Sequence, residues 1–439
     1  MKVNKWQTAS LGLQHVLAMY AGAVIVPLLV GGGIGLTPEQ LTHLVSIDIL
    51  MCGIATLLQV WKNRFFGIGL PVVLGCTFTA VGPMIAIGGD YGIPAIYGAI
   101  LASGLFVILI SKYFSKLLAF FPPVVTGSVV TIIGMTLIPT AMNNMAGGQG
   151  SSDYGSLSNI LLAFGTLLFI VILYKFSTGF LRAISILLGL IAGSVAAAFM
   201  GKVDIQAILD ADVVLTPQPF YFGLPSFELI PILTMILVAM VSLVESTGVY
   251  LALSDICEEK LEEKDFAKGY RAEGVAIFLG GIFNALPYTT YSQNVGLIQM
   301  SGVRSKNVIY TAGAFLVILG FSPKIAALTT VIPSAVLGGA MVAMFGMVLS
   351  AGIKMLSKVD LQSQENLLII ACACGLGLGV SVVPEMFQNL PSGLRILTEN
   401  GIVAGGLTAM ALNLIFNVLG KKAKKGSQLL QSKEEVASS

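Results

Sequence analysis

Residues 286–301 read Leu-Pro-Tyr-Thr-Thr-Tyr-Ser-Gln-Asn-Val-Gly-Leu-Ile-Gln-Met-Ser and stand between long apolar runs. Pro287 breaks a continuous helix, and the aromatic and β-branched residues after it favour extended backbone. A short strand feeding a half-helix is the expected outcome. Gln293 and Asn294 add two amides, each a double donor and an acceptor, where apolar surroundings offer no cheap partner. The design occurs twice. Leu70-Pro71-Val72-Val73-Leu74-Gly75-Cys76-Thr77-Phe78 aligns with Leu286–Asn294 at an offset of 216. Val124-Val125-Thr126-Gly127, followed by Gly134-Met135, matches Val336-Leu337-Gly338-Gly339, followed by Gly346-Met347, at an offset of 212.

Composition sets the solvent. The chain of 439 residues is 56% hydrophobic and 10% charged, with a mean hydropathy of +0.90. A soluble domain carries about 25% charged residues, so this chain reads as an all-α polytopic membrane protein. Apolar runs fall near 10–30, 41–60, 70–87, 93–110, 122–141, 159–174, 183–200, 229–252, 273–285, 287–302, 308–322, 329–349, 366–383 and 401–419. Of these fourteen spans, 273–285 and 287–302 are too short to cross as ordinary helices. With both termini cytoplasmic, 21 of the 24 basic residues fall on the inside, leaving only Lys202, Lys324 and Arg395 outside. Lys2 and Lys5 lead directly into the first span with no small-residue cleavage site ahead of it, so no cleaved signal is expected.

The two matches divide the chain into a first seven-span repeat, 1–228, and a second, 229–420, with 421–439 as a cytoplasmic tail. An odd number of spans per half inverts the second half relative to the first. Inverted repeats place a transporter's binding site where they meet, near the membrane midplane. Extended backbone at that depth persists only if its N–H and C=O groups are paired, so the strands of spans 3 and 10 are expected to pair with one another and aim half-helix N-termini at the centre.

The run Gln293-Asn294-Val295-Gly296, ending in Ser301-Gly302, resembles the signature of the nucleobase–ascorbate (nucleobase:cation symporter-2) transporter family, with Ser301 in place of the usual Thr. The resemblance implies a core domain of spans 1–4 and 8–11, a gate domain of spans 5–7 and 12–14, and a homodimer. Glu245, two-thirds along span 8, matches the acid that clamps the nucleobase in that family. A carboxylate at such depth costs roughly 2.5–3.5 kcal/mol on insertion scales and accepts two adjacent ring N–H groups. Gln293 both donates and accepts, as a lactam edge requires. Relatives specific for uracil often carry Glu there, so Gln293 favours an oxidised purine. Phe78 is the expected stacking surface, with Tyr288 and Tyr291 as weaker ones, and Ser292 and Gly22 complete the expected binding set.

A supporting set is expected around these residues. Asn294 reads as a brace for Gln293 or Glu273. Glu273, at the start of span 9, stands where the family carries an essential Asp, although an interfacial acid paired with Arg271 reads equally from the residues. His15 follows Gln14 in a pair the family shares and reads as a structural, neutral histidine. Thr77, Gly296 and Ser301 complete the set. Asp48 has no nameable partner, and the ten charges of Asp255–Arg271 read as a solvated helix joining spans 8 and 9. The 201–228 segment reads as polar and external. Lys421–Lys425 fits an anchor on anionic lipid or a plain topology signal.

Two histidines and five cysteines without framework spacing argue against a metalloenzyme, and no cofactor or nucleic-acid partner is expected. No G-x4-G-K-[ST] motif is present, so an ion gradient must supply the energy. Buried carboxylates point to the proton, with sodium as the alternative. The expected function is proton-coupled import of an oxidised purine, xanthine first. Uric acid or uracil transport and, on the same seven-plus-seven plan, anion transport are the alternatives. An intramembrane enzyme lacks its nucleophile–base pair.

Overall fold

The structure, a computed structural model, describes residues 4–114, 121–390 and 400–419. Lys2, Lys116, Arg395 and the tail from 420 onward, with its lysine cluster, lie outside the described residues. The first helices are α1 (Lys5–Gly33), α2 (Pro38–Val60), α3 (Val81–Tyr91), α4 (Ile93–Phe114), α5 (Pro123–Met145) and α6 (Leu157–Phe176). They are followed by α7 (Gly179–Ala183), α8 (Ser185–Phe199), α9 (Gln206–Asp210), α10 (Leu229–Cys257) and α11 (Glu263–Ile282). The remainder are α12 (Ser292–Ser301), α13 (Lys306–Gly320), α14 (Pro323–Thr330), α15 (Ser334–Leu356), α16 (Gln364–Val382) and α17 (Gly401–Asn413). Two short strands, β1 (Leu74–Cys76) and β2 (Tyr288–Thr290), interrupt the helical order.

Local chemistry sets the ends of these elements. Asn4 with Gln7, and Thr37 with Gln40, form capping boxes that satisfy the first N–H groups of α1 and α2. Gly302 ends α12 at φ 65°, a backbone conformation that costs a glycine nothing. Nine described helices are long and apolar enough to cross a membrane: α1, α2, α4, α5, α6, α10, α15, α16 and Gly401–Leu419. The count is ten if α13 and α14, bent by 81° at their break, make one span. The other expected spans fall on shorter or charged pieces: β1 with α3, the 15-residue α8, the C-terminal part of α11, and β2 with α12. A strand followed by a half-helix cannot register as one straight apolar helix.

The charged run departs from expectation. It is not one solvated helix: α10 ends at Cys257 and α11 begins at Glu263, so Glu273 lies in the middle of a helix rather than at its start. Asp265 and Phe266 are buried, and Lys62 pairs with Asp265 at 2.9 Å. Hydrophobic residues interleaved among the charges pull one face of the run into the protein.

The described residues group into two compact units, one within Met1–Ser115 and Leu137–Gly346, the other within Lys116–Thr136 and Met347–Ser439. The second unit packs α16 against α17, with Ile132 seated on Gly377 and Gly405. The first unit contains the strands. β1 and β2 pair antiparallel, with Leu74 opposite Thr290, Gly75 opposite Thr289 and Cys76 opposite Tyr288. Two further backbone bonds extend the ladder, Thr77 N–H to Pro287 O at 2.9 Å and Tyr291 N–H to Val73 O at 3.0 Å. The outer edges are closed by side chains. Leu74 N–H donates to Thr56 Oγ1 on α2 (3.0 Å), Thr290 N–H to Ser246 Oγ on α10 (3.3 Å), and Leu286 N–H to Asp48 Oδ1 (3.0 Å). A buried unpaired backbone group costs about as much as a lost hydrogen bond, and these three side chains remove that cost.

Helices α4 and α11 hold this centre from one side by backbone contact. A Cβ on Gly274 would lie 2.8 Å from Ile108 N and 3.0 Å from Gly104 O. Gly274→Val must therefore push these packed helices away from each other. The expected cost is about 3 kcal/mol, at the upper end for overpacking, and should appear as a lower thermal midpoint and a lower yield in detergent. An unchanged midpoint would contradict the close packing.

Candidate substrate site

The two strands deliver two chain reversals to one place. After β1, Thr77 opens a single 3₁₀ turn, Phe78–Ala80, which runs into α3. After β2, Tyr291 precedes α12, whose first three residues are Ser292, Gln293 and Asn294. Helix α10 packs against β2, α12 and the 78–80 turn, and so brings Glu245 into the same neighbourhood.

Most polar groups around this crossing are engaged. Thr77 Oγ1 lies 2.5 Å from Thr79 Oγ1 and 3.3 Å from Ser242 Oγ, and Thr79 Oγ1 lies 2.8 Å from Ser242 Oγ. Glu273, fully buried, accepts from Ser246 Oγ at 3.0 Å and from the Tyr250 hydroxyl. The Tyr250 oxygen in turn accepts from Gln59 Nε2 on α2. Arg271 takes no part: its guanidinium donates to Phe65 O at 2.7 Å in an exposed bond, so the expected alternative of a Glu273–Arg271 pair does not form.

Asn294 also differs from expectation. It braces neither Gln293 nor Glu273. Its Nδ2 donates to His15 Nδ1 and to His15 O, both at 3.0 Å, which ties α12 to α1 across 279 positions of sequence. Accepting at Nδ1 leaves the neutral imidazole its proton on Nε2. His15 is buried and held, as a structural histidine should be.

The two tyrosines are not stacking surfaces either. Tyr288 is buried, with its hydroxyl donating to Asp48 Oδ1 at 3.2 Å, which supplies the partner the sequence did not name for Asp48. Tyr291 donates to Cys76 O at 3.0 Å. Its ring lies between Gly22 and Gly75, where added Cβ atoms would approach it to 3.1 and 2.5 Å. Gly22 thus seats a tyrosine. Ser301 sits at the far end of α12, donating to Ile298 O and accepting from Val303 N–H, and Gly296 faces open space.

Three groups stand apart. Glu245 and Gln293 are half-buried, and among the described residues no hydrogen bond or ion pair engages either. Phe78 is buried edge-on to Phe345, with centroids 5.6 Å apart and planes at 83°. Ser292 is exposed at the start of α12. Chemically, Glu245 can accept two N–H groups, the Gln293 amide can exchange a donor–acceptor pair, and Phe78 supplies an aromatic ring. A separate cavity of about 760 Å³ is lined by Thr37, Glu39, His43, Asp210, Asp212 and Tyr221 among others, and includes none of these residues. Among the described residues no group of three His, Cys, Asp or Glu side chains could hold a metal.

Sequence reading missed Ser242, Ser246, Tyr250 and Gln59. Ser246 follows Glu245 directly and Tyr250 lies one helical turn beyond Ser246, which was the available signal. Gln59 carried none, because its partner lies 191 positions away.

A family model described as a permease family, Xan_ur_permease, matches residues 6–386. Among curated relatives, a xanthine permease of Bacillus subtilis (strain 168) is 64% identical over 432 residues, covering 98% of this chain and 99% of the relative. The uric acid permease PucK of the same organism is 63% identical over 413 residues, covering 94% and 96%. Among solved structures, the transmembrane domain of the cyanobacterial bicarbonate transporter BicA superposes with a TM-score of 0.63 at 17% identity, covering 87% of this chain and 98% of that domain. That last likeness is one of fold.

Asn294→Ala should remove both bonds that hold His15 to α12. The expected loss is about 1–3 kcal/mol, read as a lower thermal midpoint of the purified protein. A midpoint equal to that of the unaltered protein would show that the α1–α12 tie carries no stability.

Proposed function

The chain belongs to the Xan_ur_permease (nucleobase:cation symporter-2) family of multi-pass membrane transporters, and from that premise we propose that it imports an oxidised purine, xanthine first, by proton symport across the cell membrane. The observation that carries this reading is the pair of side chains that no hydrogen bond or ion pair engages among the described residues, Glu245 on α10 and Gln293 on α12, beside Thr77, Ser246, Glu273 and Asn294, which are each hydrogen-bonded. Xanthine presents adjacent N–H donors to a carboxylate and a C=O beside an N–H to an amide. Both edges are met if the ring lies against Phe78. Ser292 borders the base at the start of α12. Gly22 seats Tyr291, and Thr77, Asn294 and His15 hold the frame. Gly296 and Ser301 shape the rest of α12.

Fourteen spans in two inverted repeats, 1–228 and 229–420, with both termini cytoplasmic, follow from the basic-residue distribution and the repeated Pro-strand segments. Spans 1–4 and 8–11 form the core, spans 5–7 and 12–14 the gate, and two copies assemble as a homodimer. Uric acid is the second reading, supported by its permease among the similar proteins and by the lactam edge it shares with xanthine. Uracil lacks that support. Anion transport is disfavoured because a carboxylate at the centre of the site repels an anion.

Competition against labelled xanthine tests the site. In the unaltered protein xanthine should compete best and adenine poorly, since an amino group replaces the 6-carbonyl. Glu245→Gln should lower xanthine affinity about tenfold or more, because a misplaced donor replaces an acceptor. Gln293→Glu should lose discrimination for the lactam edge, since a carboxylate only accepts. Unchanged affinity in the first variant and unchanged ranking in the second would remove both residues from the site.

Coupling has its own test. An imposed inward pH gradient should drive xanthine into vesicles and a protonophore should abolish accumulation. Uptake that follows sodium and ignores the pH gradient would overturn proton symport.

A further inference from the structure

Glu273 is a buried carboxyl whose two hydrogen-bond donors are both neutral. Its oxygens accept from Ser246 Oγ and from the Tyr250 hydroxyl, and among the described residues no cation pairs with it. The nearby bases are committed elsewhere, Arg271 to Phe65 O and Lys62 to Asp265. The ionisable groups facing it are Glu245 and Tyr250 from α10 and Tyr270 from its own helix. Helix α2 presents the neutral Gln59, β2 presents Thr289, and α4 meets this part of α11 through Gly104 and Ile108.

The chain of donors has an order. Gln59 Nε2–H donates to the Tyr250 oxygen, and Tyr250 O–H donates to Glu273. This direction serves a carboxylate, which only accepts. Gln59 Oε1, however, is buried and has no hydrogen-bond partner. A buried amide oxygen left unpaired is destabilising, and it lies on the same amide as the nitrogen that meets Tyr250. If Glu273 takes up a proton, its O–H donates to the Tyr250 oxygen. Tyr250 O–H must then find another acceptor, and a turn of the Gln59 amide supplies Oε1.

Ser246 repeats the pattern on the other carboxyl oxygen. Its oxygen accepts from Thr290 N–H, and its single proton goes to Glu273 or to Thr289 Oγ1, 3.1 Å away. With Glu273 charged the proton is held by the carboxylate. With Glu273 neutral, its Oε2 is a weaker acceptor and Thr289, on the strand that leads to Gln293, competes for that proton. Each charge state of Glu273 therefore favours its own arrangement of these hydrogen bonds, and Ser246 adjoins Glu245 in sequence.

We propose that Gln59 and Tyr250 are positioning residues for coupling: a buried amide–hydroxyl relay from α2 that reverses direction with the charge on Glu273, while Ser246 passes the change to β2 and to Glu245. The proposal rests on proton-coupled purine import by this site. Neither relay residue touches substrate, so their loss should separate coupling from binding.

The test compares unaltered protein, Tyr250→Phe and Gln59→Leu in proteoliposomes, using xanthine. Three readouts are taken: binding at fixed pH, exchange without a gradient, and accumulation driven by an inward pH gradient. Both variants should lose about tenfold in driven accumulation, since each removes one bond of the relay, with binding and exchange within about threefold of the unaltered protein. In Tyr250→Phe the pH profile of exchange should also differ from that of the unaltered protein, since Glu273 loses one of its two hydrogen-bond donors. Parallel loss of all three readouts with an unmoved profile would make the relay merely structural and overturn the proposal. Unaltered protein that binds xanthine but ignores the pH gradient would refute the coupling reading instead. If neither variant folds, pH-difference infrared spectra of the unaltered protein decide. The tyrosine C–O band should change together with the carboxyl band that Glu273→Gln removes, and a tyrosine band indifferent to that carboxyl overturns the relay.

Discussion

Backbone amides that leave a helix inside an apolar protein must be paired, and the architecture around residues 70–78 and 286–294 answers that demand. Neither strand could persist alone, since three residues of extended chain expose donors and acceptors on both sides. Pairing β1 with β2 satisfies the inner edges. Thr56 and Ser246, each on a helix flanking one strand, take the outer N–H groups of Leu74 and Thr290. The crossing is also tight. Gly75 is needed because any side chain there would strike the Tyr291 ring, whose hydroxyl is itself fastened to Cys76 O.

Functional geometry follows from that economy. Because the strands are short, Phe78 and Gln293 come only two or three residues after the last paired position. Because Ser246 closes the edge of β2, α10 must lie against the strand, and Glu245 is carried with it. The hydroxyl that completes the sheet also donates to Glu273, so one atom serves the backbone and a buried acid at once. Under the proposed relay, a proton arriving at Glu273 would weaken the bond from Ser246 and so reach the strand edge. The pH dependence expected of the relay variants and the ligand selectivity expected of Gln293→Glu are two consequences of this arrangement.

Much of this was legible in the sequence, and the reasons are local. Pro71 and Pro287 mark the broken spans, the run of apolar segments marks the membrane protein, and Glu245 and Gln293 stand out because polar groups are rare in such surroundings. Partnerships across long sequence separations were not legible. Asn294 reaches His15 across 279 residues, Gln59 reaches Tyr250 across 191 and Asp48 reaches Tyr288 across 240. Ring direction was also hidden: Tyr288 and Tyr291 look like stacking platforms in sequence, yet each turns its hydroxyl inward to close a hydrogen bond. The charged run 255–271 misled because its net polarity conceals one buried face, on which Asp265 meets Lys62.

On the proposed reading, the strand crossing holds Glu245 and Gln293 open for one purine. A structure of the purified protein determined with xanthine bound tests it most directly. The account requires the base near Phe78, with Glu245 accepting from ring N–H groups and the Gln293 amide paired to a C=O and its neighbouring N–H, all within hydrogen-bonding distance. A base bound elsewhere, with both side chains still unengaged, would contradict it.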